Sequence, residues 1–274
     1  MKKYVVNTGV FILILGIILI NFSIAEAQDA SEFTVPLSNP ANRGKLKARL
    51  NSGSITIRGT ARKDILVKYA SHGRETEADD AERNGLKRLP GGTLNLEVTE
   101  NNNNVVIKSD SWNNKLDLDI EVPAAFDLQV HTYNNGDLTI QNVQGLVELT
   151  NFNGRIDAAN VSGSVIATTY NGGIKVSFET VAANTPMSFS TFSGDIDLTF
   201  PADLKASLKM KTEQGEVYSG FDVDLTNKKP VRTEESKAGT FKVVIDEWME
   251  ADVNGGGAEF TMKNYNGDIY IRRK

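Results

Sequence analysis

Glycines fall at Gly136, Gly145, Gly154, Gly163 and Gly172, each nine residues after the last. Two positions after each sits an aliphatic residue, namely Leu138, Val147, Ile156, Val165 and Ile174, and the rule extends to Ile55, Ile196, Val217 and Ile269. Four positions after, the residues are again mostly apolar (Ile140, Leu149, Ala158, Ala167, Val176, Leu198, Ile271), with polar or variable residues between them. Such alternation is that of a strand with one row of side chains turned inward. The beat predicts an all-β body.

The beat has two forms. Some units carry an aromatic and Asn before the glycine (Phe152-Asn153-Gly154, Tyr170-Asn171-Gly172), and the intervening ones carry Val and a polar residue (Val143-Gln144-Gly145, Val161-Ser162-Gly163). The true period is therefore 18 residues, lengthening to 22 at Gly194 and 21 at Gly215. Two architectures produce this pattern. In an antiparallel β meander, Asn-Gly closes two-residue hairpins. In a single-stranded β-solenoid, each 18–22-residue coil stacks equivalent residues on the next. The doubled period favours the solenoid, because a coil has two different corners and a meander has no reason to alternate its turns. Stacking predicts an internal aliphatic ladder, amide hydrogen bonds from Asn to Asn, and glycine at corners of positive φ.

A longer repeat extends the design. "IEVPAAFDLQVHTYNNGDLTI" (120–140) parallels "LTFPADLKASLKMKTEQGEVY" (198–218), each a strand, a Pro-Ala break, another strand and a glycine unit. "GSITIRGTARKDILVKY" (53–69) reads as two strands, and "TLNLEVTENNNNVVIKSD" (93–110) as a strand pair around an Asn-rich turn. Residues 73–92 are charged and without strand pattern, which predicts a projecting loop or short helix. Residues 226–240 predict a polar loop before the final strands, "FKVVIDEW" (241–248) and "AEFTMKNYNGDIYIRR". No linker divides the chain, so residues 33–274 form one expected domain.

Residues 1–27 read as a secretory signal peptide, with Lys2 and Lys3 ahead of an apolar run over Val10–Ile20 and "AEA" at 25–27 before Gln28. An uncleaved anchor is the alternative, but the run is short for a membrane span. Cleavage takes away Lys2, Lys3 and Glu26 and leaves 28 basic against 34 acidic residues. That balance argues against nucleic acid as a partner. The absence of cysteine rules out disulfides and a lipid-bearing cleavage-site Cys. The expected address is the periplasm, the cell surface or the medium, with no membrane span left after cleavage. The repeat runs almost to Lys274, which tilts the expectation towards the periplasm.

On "GSITIRG", "DLDIEVPAAFDLQV", the "NGDI"-type units and the closing "NGGGAEFTMKNYNGDIYI", the sequence resembles a large family of bacterial exported β-strand-repeat proteins of unknown function, often labelled "putative adhesins". The resemblance implies a β-solenoid-like body and brings no catalytic residue with it.

The residues point away from most chemistry. A calcium β-roll needs Asp two places after glycine, where Leu138, Ile156, Ile174 and Ile196 stand. Asp137, Asp195 and Asp268 follow glycine directly and are expected to be solvated. Inverting glycoside hydrolysis needs carboxylates roughly 6.5–9.5 Å apart. Asp195 and Asp197, with Asp157 a coil away, are the nearest approach to such a set, and the "GHG" and "RIK" signatures of pectin-cleaving helices are absent. His72 and His131 lack metal-ligand spacing, and "GSVIA" lacks the glycines of a nucleophile elbow. Glu75, Glu77, Asp79, Asp80 and Glu82 read as a solvated acidic loop. Phe152, Tyr170, Phe192 and Tyr265, two places before glycine and on the parity of the aliphatic ladder, are expected to be core; on an outer corner they would form a strip suited to glycan or peptide contact. No catalytic, cofactor or metal residue is expected. The expectation is a non-enzymatic envelope protein that binds or scaffolds, its partner an envelope protein or a glycan. A carbohydrate-active β-helix enzyme is the alternative.

Overall fold

The structure, a computed structural model, describes residues 31–72, 82–83, 86–87, 95–112, 114–226, 231–237, 240–246 and 248–274. The signal peptide expected over residues 1–27 and the acidic residues Glu75 to Asp80 lie outside these. Among the described residues every regular element is a strand, and no helix is long and apolar enough to cross a membrane.

The strands form two parallel ladders. One aligns Leu118, Ile55, Leu138, Ile156, Ile174, Ile196, Ile269 and Val217, in that spatial order. The other aligns Val105, Leu46, Leu128, Val147, Val165, Met187, Phe260 and Leu208. A unit is one strand from the second ladder, a glycine corner, and one strand from the first. Neighbouring units pair parallel, so Asn-Gly stands at corners between ladders and does not close hairpins as the meander would require.

Alternation along each strand puts these apolar residues inside, and almost all of both rows are fully buried. Each such side chain contributes about 1.5–3 kcal/mol through burial. Phe178, Phe200 and Phe260 fill the interior beside them, with ring centroids 4.9 and 5.7 Å apart. The corner needs glycine for two reasons, seen together at Gly172. Its φ is +151°, and a Cβ there would run into the Gly154 carbonyl of the unit below. At the second corner Asn142 and Asn160 take positive φ and are joined by an amide hydrogen bond of 3.2 Å. The two halves of the 18-residue period are thus two different corners.

The units do not stack in chain order. The first in sequence, Gly44–Ser52 with Ile55–Thr60, lies between the second (Asn104–Ser109 with Lys115–Pro123) and the third (Phe126–Asn134 with Leu138–Gln141). The last in sequence, Ala258–Lys263 with Ile269–Arg273, lies between Met187–Ser190/Ile196–Phe200 and Ala206–Lys211/Val217–Ser219. Each terminal unit is tucked one place in from its end of the stack.

Antiparallel strands cover the ends. Asp64–His72 and then Ser31–Pro36 extend the sheet beyond Lys115–Pro123, and Leu96–Asn101 pairs with Asn104–Ser109 through an Asn102-Asn103 turn of positive φ. At the other end Met249–Val253 and Val223–Thr226 extend beyond Ala206–Lys211. Such caps keep one stack from adding to another. The stretch expected to be a polar loop holds a strand, Val231–Lys237, paired antiparallel with Thr240–Asp246. Glu82–Arg83 pairs with Leu86–Lys87 in the same sense, where a loop or short helix was expected.

Candidate functional site

The first corner is written by consecutive residues with separate tasks. Three places before the glycine, a buried Thr or Asn donates to the glycine carbonyl of the neighbouring unit: Asn151 to Gly136 (3.0 Å), Thr169 to Gly154 (2.9 Å), Thr191 to Gly172 (2.8 Å) and Asn264 to Gly194 (2.8 Å). One place before it, Asn171 donates to Asn153 and Asn153 to Asn134, both at 2.7 Å. That is the expected Asn ladder.

One place after the glycine the structure departs from expectation. Asp137, Asp195 and Asp268 are not merely solvated; each carboxylate accepts a backbone N–H from the next unit, those of Arg155 (2.8 Å), Asp268 (2.9 Å) and Glu216 (2.9 Å). The Glu216 amide and the Tyr270 hydroxyl hold the Asp268 carboxyl below the usual range, and the same bond to Asp268 pushes the Tyr270 phenol up. Losing a single exposed bond of this kind costs about 1 kcal/mol, which is about 2–4 °C in a chain of this size. Asp195→Ala should therefore melt lower by that amount, and Asp195→Asn, which keeps an acceptor, should melt with the parent. Equal circular-dichroism melts for all three would show that the bond is idle.

The aromatic residues form a row on the outside of this corner. Tyr133, Phe152, Tyr170, Phe192 and Tyr265 stack in that order with centroids 4.7, 5.1, 4.8 and 4.8 Å apart and planes within 5°. Tyr133, Tyr170, Phe192 and Tyr265 are 36–43% exposed. Their expected place in the core is thus corrected. The parity count fails because the corner shifts it: the inward residue ahead of the corner is the Thr or Asn three places before glycine, not the aromatic two places before. The readable sign is that a short polar residue (Asn151, Thr169, Thr191, Asn264) stands three places before the glycine in each of the four units whose ring is two places before it.

The row has two ends. Trp112 meets Tyr133 edge-on at 5.2 Å and 78°. Beyond Tyr265 the next unit carries Glu213, ion-paired to Lys211 at 3.0 Å. An aromatic pair contributes about 0.5–1.5 kcal/mol and an exposed ion pair less. Glu213→Tyr should therefore continue the row and raise the melting temperature by roughly 1–4 °C. A fall in melting temperature would show that the row cannot be extended.

Beside the rings runs an outward row of Arg49, His131, Thr150, Thr168, Ser190, Lys263 and Lys211, in register across the units. Hydroxyls occupy its middle and cations its ends. Burial, and then the charge of Arg49, holds the His131 imidazole below its ordinary pKa. On the other side lie the Asn ladder and the Asp caps. The result is a flat strip, five rings long, with polar borders.

The candidate catalytic carboxylates do not converge. Asp195 caps Asp268, and Asp197 holds Arg272 at 2.6 Å. Asp157 is two units from Asp197, not one, with Lys175 between them. His72 faces Asp117 at 2.8 Å and His131 lies on the other ladder. Among the described residues no three metal-binding side chains gather. A cleft of about 490 Å³ at the second corner is lined by Val181, Pro201, Leu204, Gly256, Gly257 and Phe260. Of the charged residues there, Glu179 is taken up by Lys274 at 2.7 Å.

Residues 124–247, a little under half of the chain, match the model of a family described as Toastrack DUF4097. The match agrees with the resemblance to a β-strand-repeat family of unknown function. No curated protein matches. Among solved structures, a crystal structure of a "putative cell adhesion protein" from Clostridium sporogenes aligns with a TM-score of 0.43 and 11% identity over 89% of this chain and 100% of that one.

Proposed function

We propose that the chain is an exported, non-enzymatic β-solenoid that binds or scaffolds an envelope component in the periplasm or at the cell surface, through the aromatic corner and the hydroxyl row beside it. The observation that carries this reading is the unbroken stack of five rings, four of them exposed and Phe152 half-buried. Large apolar side chains in a contiguous exposed patch mark a contact surface. The same geometry narrows the partner. Each ring face inside the row is covered by the next ring, so a partner meets ring edges, and stacking of a sugar on an open face is confined to the row's ends. An extended, flat partner surface, of protein or of aligned glycan, fits edges and hydroxyls repeated at the strand spacing of roughly 4.8 Å.

The test is retention of cell-envelope protein and of envelope polysaccharide on the immobilised chain, compared with the variant Phe152→Ser/Tyr170→Ser/Phe192→Ser. The parent should retain one of the two fractions, and the variant, checked for folding by its melt, should lose it. Equal retention by the folded variant would move the function elsewhere. Protease shaving of intact cells beside a periplasmic control then separates surface from periplasm.

A further inference from the structure

The last unit in sequence, residues 258–274, fills a slot whose two walls come from earlier residues. Met187–Ser190 and Ile196–Phe200 form one wall, and Ala206–Lys211 and Val217–Ser219 the other. Phe260, Met262, Ile269 and Ile271 complete the core of that slot. Both walls precede this unit in chain order, and no cysteine locks it in place.

The connection into it is unusual. Met249–Val253 lies antiparallel on one side of Ala206–Lys211, and Ala258–Lys263 lies parallel on the other. The chain crosses the end of that strand in four residues, Asn254-Gly255-Gly256-Gly257. Asn254, Gly255 and Gly256 all have positive φ, at 49°, 84° and 80°. A side chain on Gly255 would meet nothing, and Gly256 and Gly257 line the cleft at the second corner. A four-residue, glycine-rich crossing with open space beside Gly255 is a hinge of the kind that permits exchange of an element between copies.

We propose that residues 258–274 are a donor unit, which can complete the identical slot in a second copy of the chain, pairing two molecules by reciprocal exchange. Every strand pair and every buried side chain of the closed form is kept in the exchanged one. Only the hinge differs: its extended form gives up the bonds of Asn254 to Leu204 and of Gly256 to Val253 and needs no positive φ. Exchange takes place while the chain folds, before the slot is filled, because withdrawing a seated unit would open both ladders.

The absence of native cysteine gives a direct test. Ser190 and Lys263 are register partners across the slot, at a spacing within disulfide reach. Full-length Ser190→Cys and Lys263→Cys chains, unfolded together and refolded at high concentration under oxidation, should give a dimer whose disulfide joins position 190 of one chain to 263 of the other. Refolding at high dilution should abolish it. Gly255→Val/Gly256→Val, which strains the closed hinge, should raise the dimer fraction at least about tenfold, read by light scattering on the eluted peaks. Monomer alone under all conditions, or a dimer without the 190–263 linkage, would overturn the proposal. If the hinge variant does not fold, the cysteine pair with the native hinge decides by itself.

Discussion

Removing residues 258–274 should unfold the whole body, leaving no cooperative melt and a protease-labile chain. In a stack that follows chain order, loss of the last unit frays one end and spares the rest, since each unit contacts only its neighbours. Here the lost unit is interior. Its absence leaves Met187–Ser190 two spacings from Ala206–Lys211 on one ladder and Ile196–Phe200 two spacings from Val217–Ser219 on the other, with Phe200, Phe189 and Met210 facing a gap where Phe260 and Met262 were. Filling that gap requires the unit of Ala206–Lys211, with its antiparallel cap, to shift by one strand spacing against its own side chains. Four large buried side chains (Phe260, Met262, Ile269, Ile271) contribute about 6–12 kcal/mol, comparable to the 5–15 kcal/mol that holds a whole domain folded. A truncated chain that kept most of its β signal and a sharp melt would show that the terminal unit is peripheral.

A single carboxylate placed on the internal ladder should have an effect of similar size. Ile156 is fully buried between Leu138 and Ile174. Ile156→Asp gives up about 1.5–3 kcal/mol of burial and places an unpaired acid where no donor is within reach, a further cost of several kcal/mol. The expected outcome is loss of the cooperative transition at room temperature. Thr199→Asp, on the outward face beside Arg272, should stay within about 0.5 kcal/mol of the parent. If the two variants melted alike, the inward and outward rows would be misassigned.

Ladder positions such as Ile156 were legible in the sequence because strand alternation has a period of two and the corner repeats every 18 residues. Both are local patterns, and each copy confirms the others. The Asn ladder was legible for the same reason, since Asn153 and Asn171 recur at a fixed place. The order of the units was not. Nothing in the residues around Ile269 says that it sits between Ile196 and Val217, because every unit carries the same inward aliphatic and would fit several neighbours. Only the long connections after Thr60 and after Ser219 hint that the chain has reach enough to double back. The aromatic row was visible as a repeat but turned the wrong way, since parity was carried straight through a corner that resets it. The Asp caps were missed because a carboxylate on an outward position looks the same in sequence whether it meets water or the next unit's amide.

The tucked ends also bear on how such a protein changes size. Duplicating the unit of Gly44–Thr60 or that of Ala258–Arg273 would displace a unit from its slot or leave the copy without a cap. Between Gly136 and Gly194 the units follow one another in order, and one more 18-residue segment there would thread in without disturbing either closure. Each insertion would lengthen the body by roughly one strand spacing, 4.8 Å, and add one ring to the outer corner. The middle of the chain then acts as a gauge, with the number of rings as its reading, while the two closures are fixed fittings.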